Sequence, residues 1–158
     1  MRTIIIGVGN PIRTDDAAGL VAVRLLRERL PHDGDVDVEE LWAGGLRLVE
    51  AMVGYQRAII VDAMATGGWP PGTVRRLTLA ELGGARNLTC VHDTSLPTAL
   101  AIWRASSVSV PQDIAIFGIE GLDLETLGED LSTPVRRGVE MAVDAIVQEL
   151  RVPQRSAT

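Results

Sequence analysis

The stretch from Thr3 to Gly19 constrains this chain more than any other. Thr3-Ile4-Ile5-Ile6 is a short, β-branched run that reads as a buried first strand. Gly7, Gly9, Asn10 and Pro11 then break it into a tight loop. Asp15 stands where a helix needs an N-cap, and an apolar-periodic segment follows. Strand, glycine loop and helix in that order put the loop at the carboxyl end of a sheet, where open α/β folds bind their ligands. Asp15 and Asp16 sit in that loop as a cap plus a solvated acid, or as part of a site. A nucleotide is a poor fit. The third glycine of the dinucleotide fingerprint is replaced by Ile12, no Gly-Lys-Ser/Thr follows, and two carboxylates repel a phosphate. A cation, or acid/base work, suits the loop better.

Charge and composition narrow the partners. The 158 residues suit one domain, and we expect residues 1–152 to form it, with 153–158 a polar tail. The net charge is −6, aromatics are 3% and every basic residue is arginine, so nucleic acid is not an expected partner. No apolar run approaches a membrane span and Met1-Arg2 leads directly into a strand, so no membrane partner is expected and the reading is cytoplasmic. Cys90 is the only cysteine, which leaves no intrachain disulfide and no thiolate zinc cluster. It reads as a small buried hydrophobe, although His92 would share its face of a strand.

Along the chain, Ala18 to Leu30 shows helical periodicity and stops before Pro31. Val36–Leu41 alternates as a strand, and Ala43-Gly44-Gly45 is the next glycine break. Leu46–Val53 is a short helix, and Arg57–Ala63 a second buried strand that closes on Asp62. A hairpin-like strand is expected over 74–79 and a turn or short helix over 80–87. A helix capped by Thr94 or Ser95 follows, then a strand from Asp113 to Phe117, an acidic loop and a last helix opened by Ser132-Thr133-Pro134. The pattern predicts a three-layer α/β/α domain of the phosphorylase/hydrolase-like kind. Its open, mostly parallel sheet would carry helices on both faces and right-handed crossovers. Asp16, Asp62 and His92 each follow a separate strand or break. Two carboxylates and an imidazole suit a divalent transition metal such as nickel or zinc. An aspartate that ends an apolar strand is costly unless it is paired, hydrogen-bonded or metal-bound; a loop cap is its structural alternative.

Gly7-Val8-Gly9-Asn10 with Asp15-Asp16-Ala17-Ala18-Gly19 resembles the opening of the hydrogenase maturation proteases. Ile60-Val61-Asp62-Ala63 and His92-Asp93-Thr94-Ser95-Leu96 extend the likeness to roughly residues 1–150. The resemblance implies an endopeptidase that trims the C-terminus of the nickel-iron hydrogenase large-subunit precursor. It implies nickel ligation by Asp16, Asp62 and His92, the nickel arriving with the precursor, although other divalent ions would fit. It leaves Asp16 or Asp62 as general base, or the metal as activator of the carbonyl or of water. The chain departs from the family pattern at Leu46, where threonine is usual after the glycines, and at Gly121, where proline commonly follows the late acid. Glu120 therefore receives no role. A non-catalytic nickel-sensing or chaperone-like module would use the same ligands. Gly7–Pro11 also resembles the start of peptidyl-tRNA hydrolase, but Thr14-Asp15-Asp16-Ala17 and the acidic charge do not.

Overall fold

Two strands whose side chains are buried along their whole length form the middle of the sheet. The computed structural model describes residues 1–31, 34–42, 44–84 and 95–152. The central strands are β1 (Thr3–Val8) and β3 (Arg57–Met64). Their near-continuous apolar sequence is what a parallel strand covered on both faces requires. Around them lie β2 (Val36–Leu41), β4 (Val74–Leu77) and β5 (Asp113–Glu120), in the order β2-β1-β3-β5-β4. β1, β2, β3 and β5 run parallel, and β4 closes the edge antiparallel to β5. The helices are α1 (Ala18–Arg29), α2 (Leu46–Met52), α3 (Leu96–Ala105) and α4 (Thr133–Arg151).

Alternation along the strands separates two cores. Ile5, Ile59, Val61 and Phe117 meet Val23 and Leu26 of α1 and Val139 and Ile146 of α4 on one face. Ile4, Ile6, Ile60 and Ile116 meet Leu48 and Met52 of α2 and Leu96 and Leu100 of α3 on the other. The three-layer α/β/α expectation holds.

Three local expectations are corrected. The strand after β3 does not form a hairpin with it, because β1 and β5 already occupy both sides of β3; β4 pairs on the outer side of β5. β5 continues past Phe117 to Glu120, held there by β4 through Val74↔Ile119. Asp15 does not cap α1. Ala17 occupies that position, with no side-chain cap, because the Asp15 carboxylate is engaged elsewhere. Ser95 does cap α3, accepting from the Thr98 amide.

At the amino end of the sheet, Arg57 is buried and pairs with Asp113, its register partner on β5, and with Glu149 of α4. Arg76 reaches the same Glu149 at 2.8 Å. Burial pushes the Glu149 carboxyl up, but the hydrogen bond and charge of Arg76 and the charge of Arg57 outweigh it, so it titrates below the ordinary 4.5. A lowered pKa contributes stability that is present above the unfolded value and lost as pH falls through the folded one. Glu149→Gln is therefore expected to cost about 2 kcal/mol at pH 7. In urea titrations of both proteins, the gap should close below pH 4.5.

Candidate active site at the carboxyl rim of the sheet

Strand register brings the first-loop acids and Asp62 to one end of neighbouring strands. Gly7 lies opposite Val61, so Asp62 is level with Val8, the last residue of β1. Asp62 is only 3% exposed and belongs to the alternation of Ile60 and Met64, on the side of α2 and α3. Beyond Val8 the chain turns back on itself. The Asn10 side chain accepts from the Ile12 amide at 3.1 Å. A 3₁₀ turn, Thr14–Ala17, then packs against β3. The Asn10 amide donates to the Asp16 carbonyl at 3.3 Å, which lays Asp16 over Gly9.

The glycines make this approach possible, and they do so by lacking a Cβ. A Cβ at Gly9 would fall 2.1 Å from the Asp16 carbonyl oxygen. One at Gly19 would fall 2.3 Å from the carbonyl oxygen of Val61 and 2.5 Å from that of Val8. One at Gly7 would meet the Gly19 carbonyl oxygen at 2.2 Å. The Gly-x-Gly pattern therefore serves close backbone packing between β1, the Asp16 turn and the start of α1. Because the obstruction at Gly9 is backbone, Gly9→Ala must displace Asp16. It should cost about 1–3 kcal/mol of stability, and lower activity more than stability does; thermal melts and a processing assay on the same sample check this.

Two buried carboxylates lock the rim loops. Asp15 is fully buried. Its Oδ1 accepts from the Ser132 amide at 2.8 Å, and its Oδ2 from the amides of Leu122 (3.0 Å) and Asp123 (2.9 Å) and from the Ser132 hydroxyl (2.8 Å). The Asp15 amide donates back to the Asp123 carbonyl. Glu120, at 3% exposure, accepts from the amides of Thr66 and Gly67 and from the Thr66 hydroxyl. It thereby fastens the β3–β4 loop to the end of β5. Thr14 holds φ at 33°, a left-handed conformation that a β-branched residue rarely takes. Its hydroxyl bonds the Thr126 carbonyl at 2.6 Å and its amide the Gly128 carbonyl at 3.0 Å. Strain of this kind persists where the surroundings over-determine it.

Asp16 is in a different situation. It is half-buried, and burial raises its pKa above 3.8, against the charge of Arg13 and a hydrogen bond from the Asn10 backbone. A carboxylate that is poorly solvated when charged gains from a neighbouring cation.

The structure thus brings Asp16 and Asp62 to one rim. His92 lies outside the described residues, as do Cys90, Asp93, Thr94, His32 and the tail 153–158. Among the described residues no three His, Cys, Asp or Glu side chains are close enough to hold a metal ion. Sequence reasoning missed the bracing roles of Asp15 and Glu120. The available signal was an acid at the end of an otherwise apolar strand for Glu120, and nothing local for Asp15. Six exposed large apolar side chains also gather in segments after the carboxyl ends of the parallel strands: Ile12, Trp42, Leu46, Trp69, Leu122 and Leu127. No helix among the described residues is long and apolar enough to cross a membrane.

An open α/β sheet with two sequence-distant aspartates at its carboxyl rim is the frame of an enzyme site at a strand-end crevice. The family model described as hydrogenase maturation protease matches residues 21–149, and the chain belongs to that family. The matched span begins just after Asp16 and includes Asp62 and His92. The hydrogenase 2 maturation protease of Escherichia coli K12 is 28% identical over 96% of this chain and 92% of its own length. The hydrogenase expression/formation protein HupD of Rhizobium leguminosarum is 27% identical over 95% of this chain and 74% of its own. Among solved structures, the hydrogenase maturating endopeptidase HybD from E. coli superposes with a TM-score of 0.82 at 26% identity, covering 96% of this chain and 93% of that one. The chain is accordingly a hydrogenase maturation protease, not a peptidyl-tRNA hydrolase or a non-catalytic module.

Proposed function

We propose that this protease removes the C-terminal extension of a nickel-loaded [NiFe] hydrogenase large-subunit precursor, and that it recognises the nickel already seated in that substrate. The observation that supports the reading is that Asp62 and the turn carrying Asp16 lie at the same end of the sheet in a protein of this family. Two carboxylates with an imidazole from His92 form a donor set suited to nickel, and Asp16 gains from a cation because burial disfavours its charge. Nickel supplied by the substrate would act as a Lewis acid toward the scissile carbonyl or a water. The two aspartates hold the substrate's metal centre in register with the bond to be cut. Asp16, whose pKa burial raises, is suited to accept a proton from the attacking water. Waiting for the metal makes cleavage a test of completed insertion.

Mass spectrometry of precursor before and after incubation tests this. Nickel-loaded precursor should lose a C-terminal peptide and metal-free precursor should stay intact. An unchanged mass for the loaded form, or equal cutting of both, overturns the reading.

A further inference from the structure

Loops 9–17 and 121–132 are stitched into one rigid ledge beside Asp16. The stitches are the Asp15 carboxylate, the Arg13↔Gly128 bridge, the Gly128 amide on the Ile12 carbonyl at 2.9 Å, and Thr14 on Thr126 and Gly128. Yet this ledge presents large aliphatic side chains to solvent: Ile12 is 53% exposed, Leu122 62% and Leu127 72%. The Gly128–Ile12 bond sets Ile12 against the residue that follows Leu127. Apolar groups held out on a backbone that spends this many hydrogen bonds on rigidity are arranged for contact, since a surface of this kind gains affinity by being ordered beforehand.

The charge around the tips says what kind of contact. Residues 121–132 contain Asp123, Glu125, Glu129 and Asp130 and no basic residue, and the one basic side chain of loop 9–17 is the exposed Arg13, so acids outnumber bases around the tips. Glu125, Glu129 and Asp130 are exposed, and none of them makes an ion pair with another described residue. A second copy of this chain would bring the same acids against them, at net charge −6, and is disfavoured. The complement is an aliphatic segment bordered by arginine or lysine.

We infer that the ledge of Ile12, Leu122 and Leu127, framed by Glu125, Glu129 and Asp130, is the docking surface for the precursor, which it grips through an aliphatic stretch flanked by basic residues next to the cut. The inference rests on the proposed protease reading, because the ledge is continuous with the turn that carries Asp16. It assigns these side chains to substrate affinity and leaves the bond-breaking step to the rim aspartates.

Steady-state processing of nickel-loaded large-subunit precursor separates the two claims. The triple variant Ile12→Ser/Leu122→Ser/Leu127→Ser should keep the wild-type melting temperature and kcat and raise KM at least about tenfold. The variant Glu125→Gln/Glu129→Gln/Asp130→Asn should also raise KM, and should flatten the rise of KM with salt seen for wild type. If wild type cuts and both variants match its KM at every salt concentration, the ledge is not the docking surface. If wild type sediments as a dimer and the triple variant as a monomer, the occupant is a second copy and the inference is overturned. If wild type does not cut at all, the protease reading fails first and the ledge falls with it.

Discussion

Asp62→Asn should lower processing of nickel-loaded precursor by at least about a hundredfold while the protein stays folded. The side chain is 3% exposed near the end of a strand whose residues between Arg57 and Asp62 are alanine, isoleucine and valine, with Ala63 and Met64 after it. A valine there would add buried apolar surface, about 1.5–3 kcal/mol of it, whereas a carboxylate must be compensated. A carboxylate kept at this depth is a candidate for function as well as for structural bonding. Asparagine preserves its shape and removes the charge and a metal-binding oxygen, so the melting temperature should hold while turnover collapses. Asp16→Asn should behave alike, with a sign that can be worked out. The raised pKa of Asp16 means that its contribution to stability is full below 3.8 and is lost as pH rises through the folded value. At neutral pH the charged group therefore opposes folding, and Asp16→Asn should melt at a slightly higher temperature than wild type as it loses activity. His92→Ala completes the set. Undiminished cleavage by any of the three would remove that residue from the site.

Much of this was legible from residues 3–19 because the signals there are local and agree. A buried β-branched run, a glycine break and a helical period fix strand, loop and helix without reference to the rest of the chain. The parallel sheet followed from repetition of that unit, and the level shared by Val8 and Asp62 followed from parallel strands ending on one side. What sequence could not show is what depends on the order of strands in space. β4 looked like the return strand of a hairpin because adjacency in sequence is the default. Only the occupation of both sides of β3 excludes it. Gly9 was legible as a loop former, whereas Gly7 was expected to break the strand and instead lies within β1; the decisive property of both is the close approach of Asp16 and Gly19.

Asp15 is the clearest case of a residue whose meaning is entirely tertiary. Beside Asp16, it has the same chemistry and the same neighbours in sequence, and position alone suggests a helix cap. Its partners are Leu122, Asp123 and Ser132, over a hundred residues away. The 3₁₀ turn sets the two acids at different depths, so Asp15 is sealed among backbone donors while Asp16 keeps contact with solvent. One of an identical pair thus became a brace and the other a candidate ligand.

Removing that brace should have the largest effect on stability of any single substitution considered. Asp15→Ala leaves three backbone amides and the Ser132 hydroxyl without their acceptor at a fully buried side-chain position. Hydrogen bonds to a charged group contribute about 1.5–3 kcal/mol each, and orphaned buried donors cost about 1–3 kcal/mol, so even with partial relaxation the loss should be about 3–5 kcal/mol. Against a domain stability of roughly 5–15 kcal/mol this brings the chain near unfolding. Asp15→Asn is informative because it nearly preserves shape. If its oxygen takes the Oδ2 position, its amino group must face the Ser132 amide, donor against donor, and if it is turned the conflict moves to Leu122, Asp123 and the Ser132 hydroxyl. Neither orientation satisfies the site, so Asp15→Asn should still cost about 2 kcal/mol. Ser132→Ala removes one of the four bonds and should cost about 1 kcal/mol. In a double-mutant cycle it should add almost nothing to Asp15→Ala, because the hydroxyl then has no carboxylate to lose. Urea unfolding of wild type and the four variants measures every term, and a loss below about 1 kcal/mol for Asp15→Ala would show that the rim loops hold together without it.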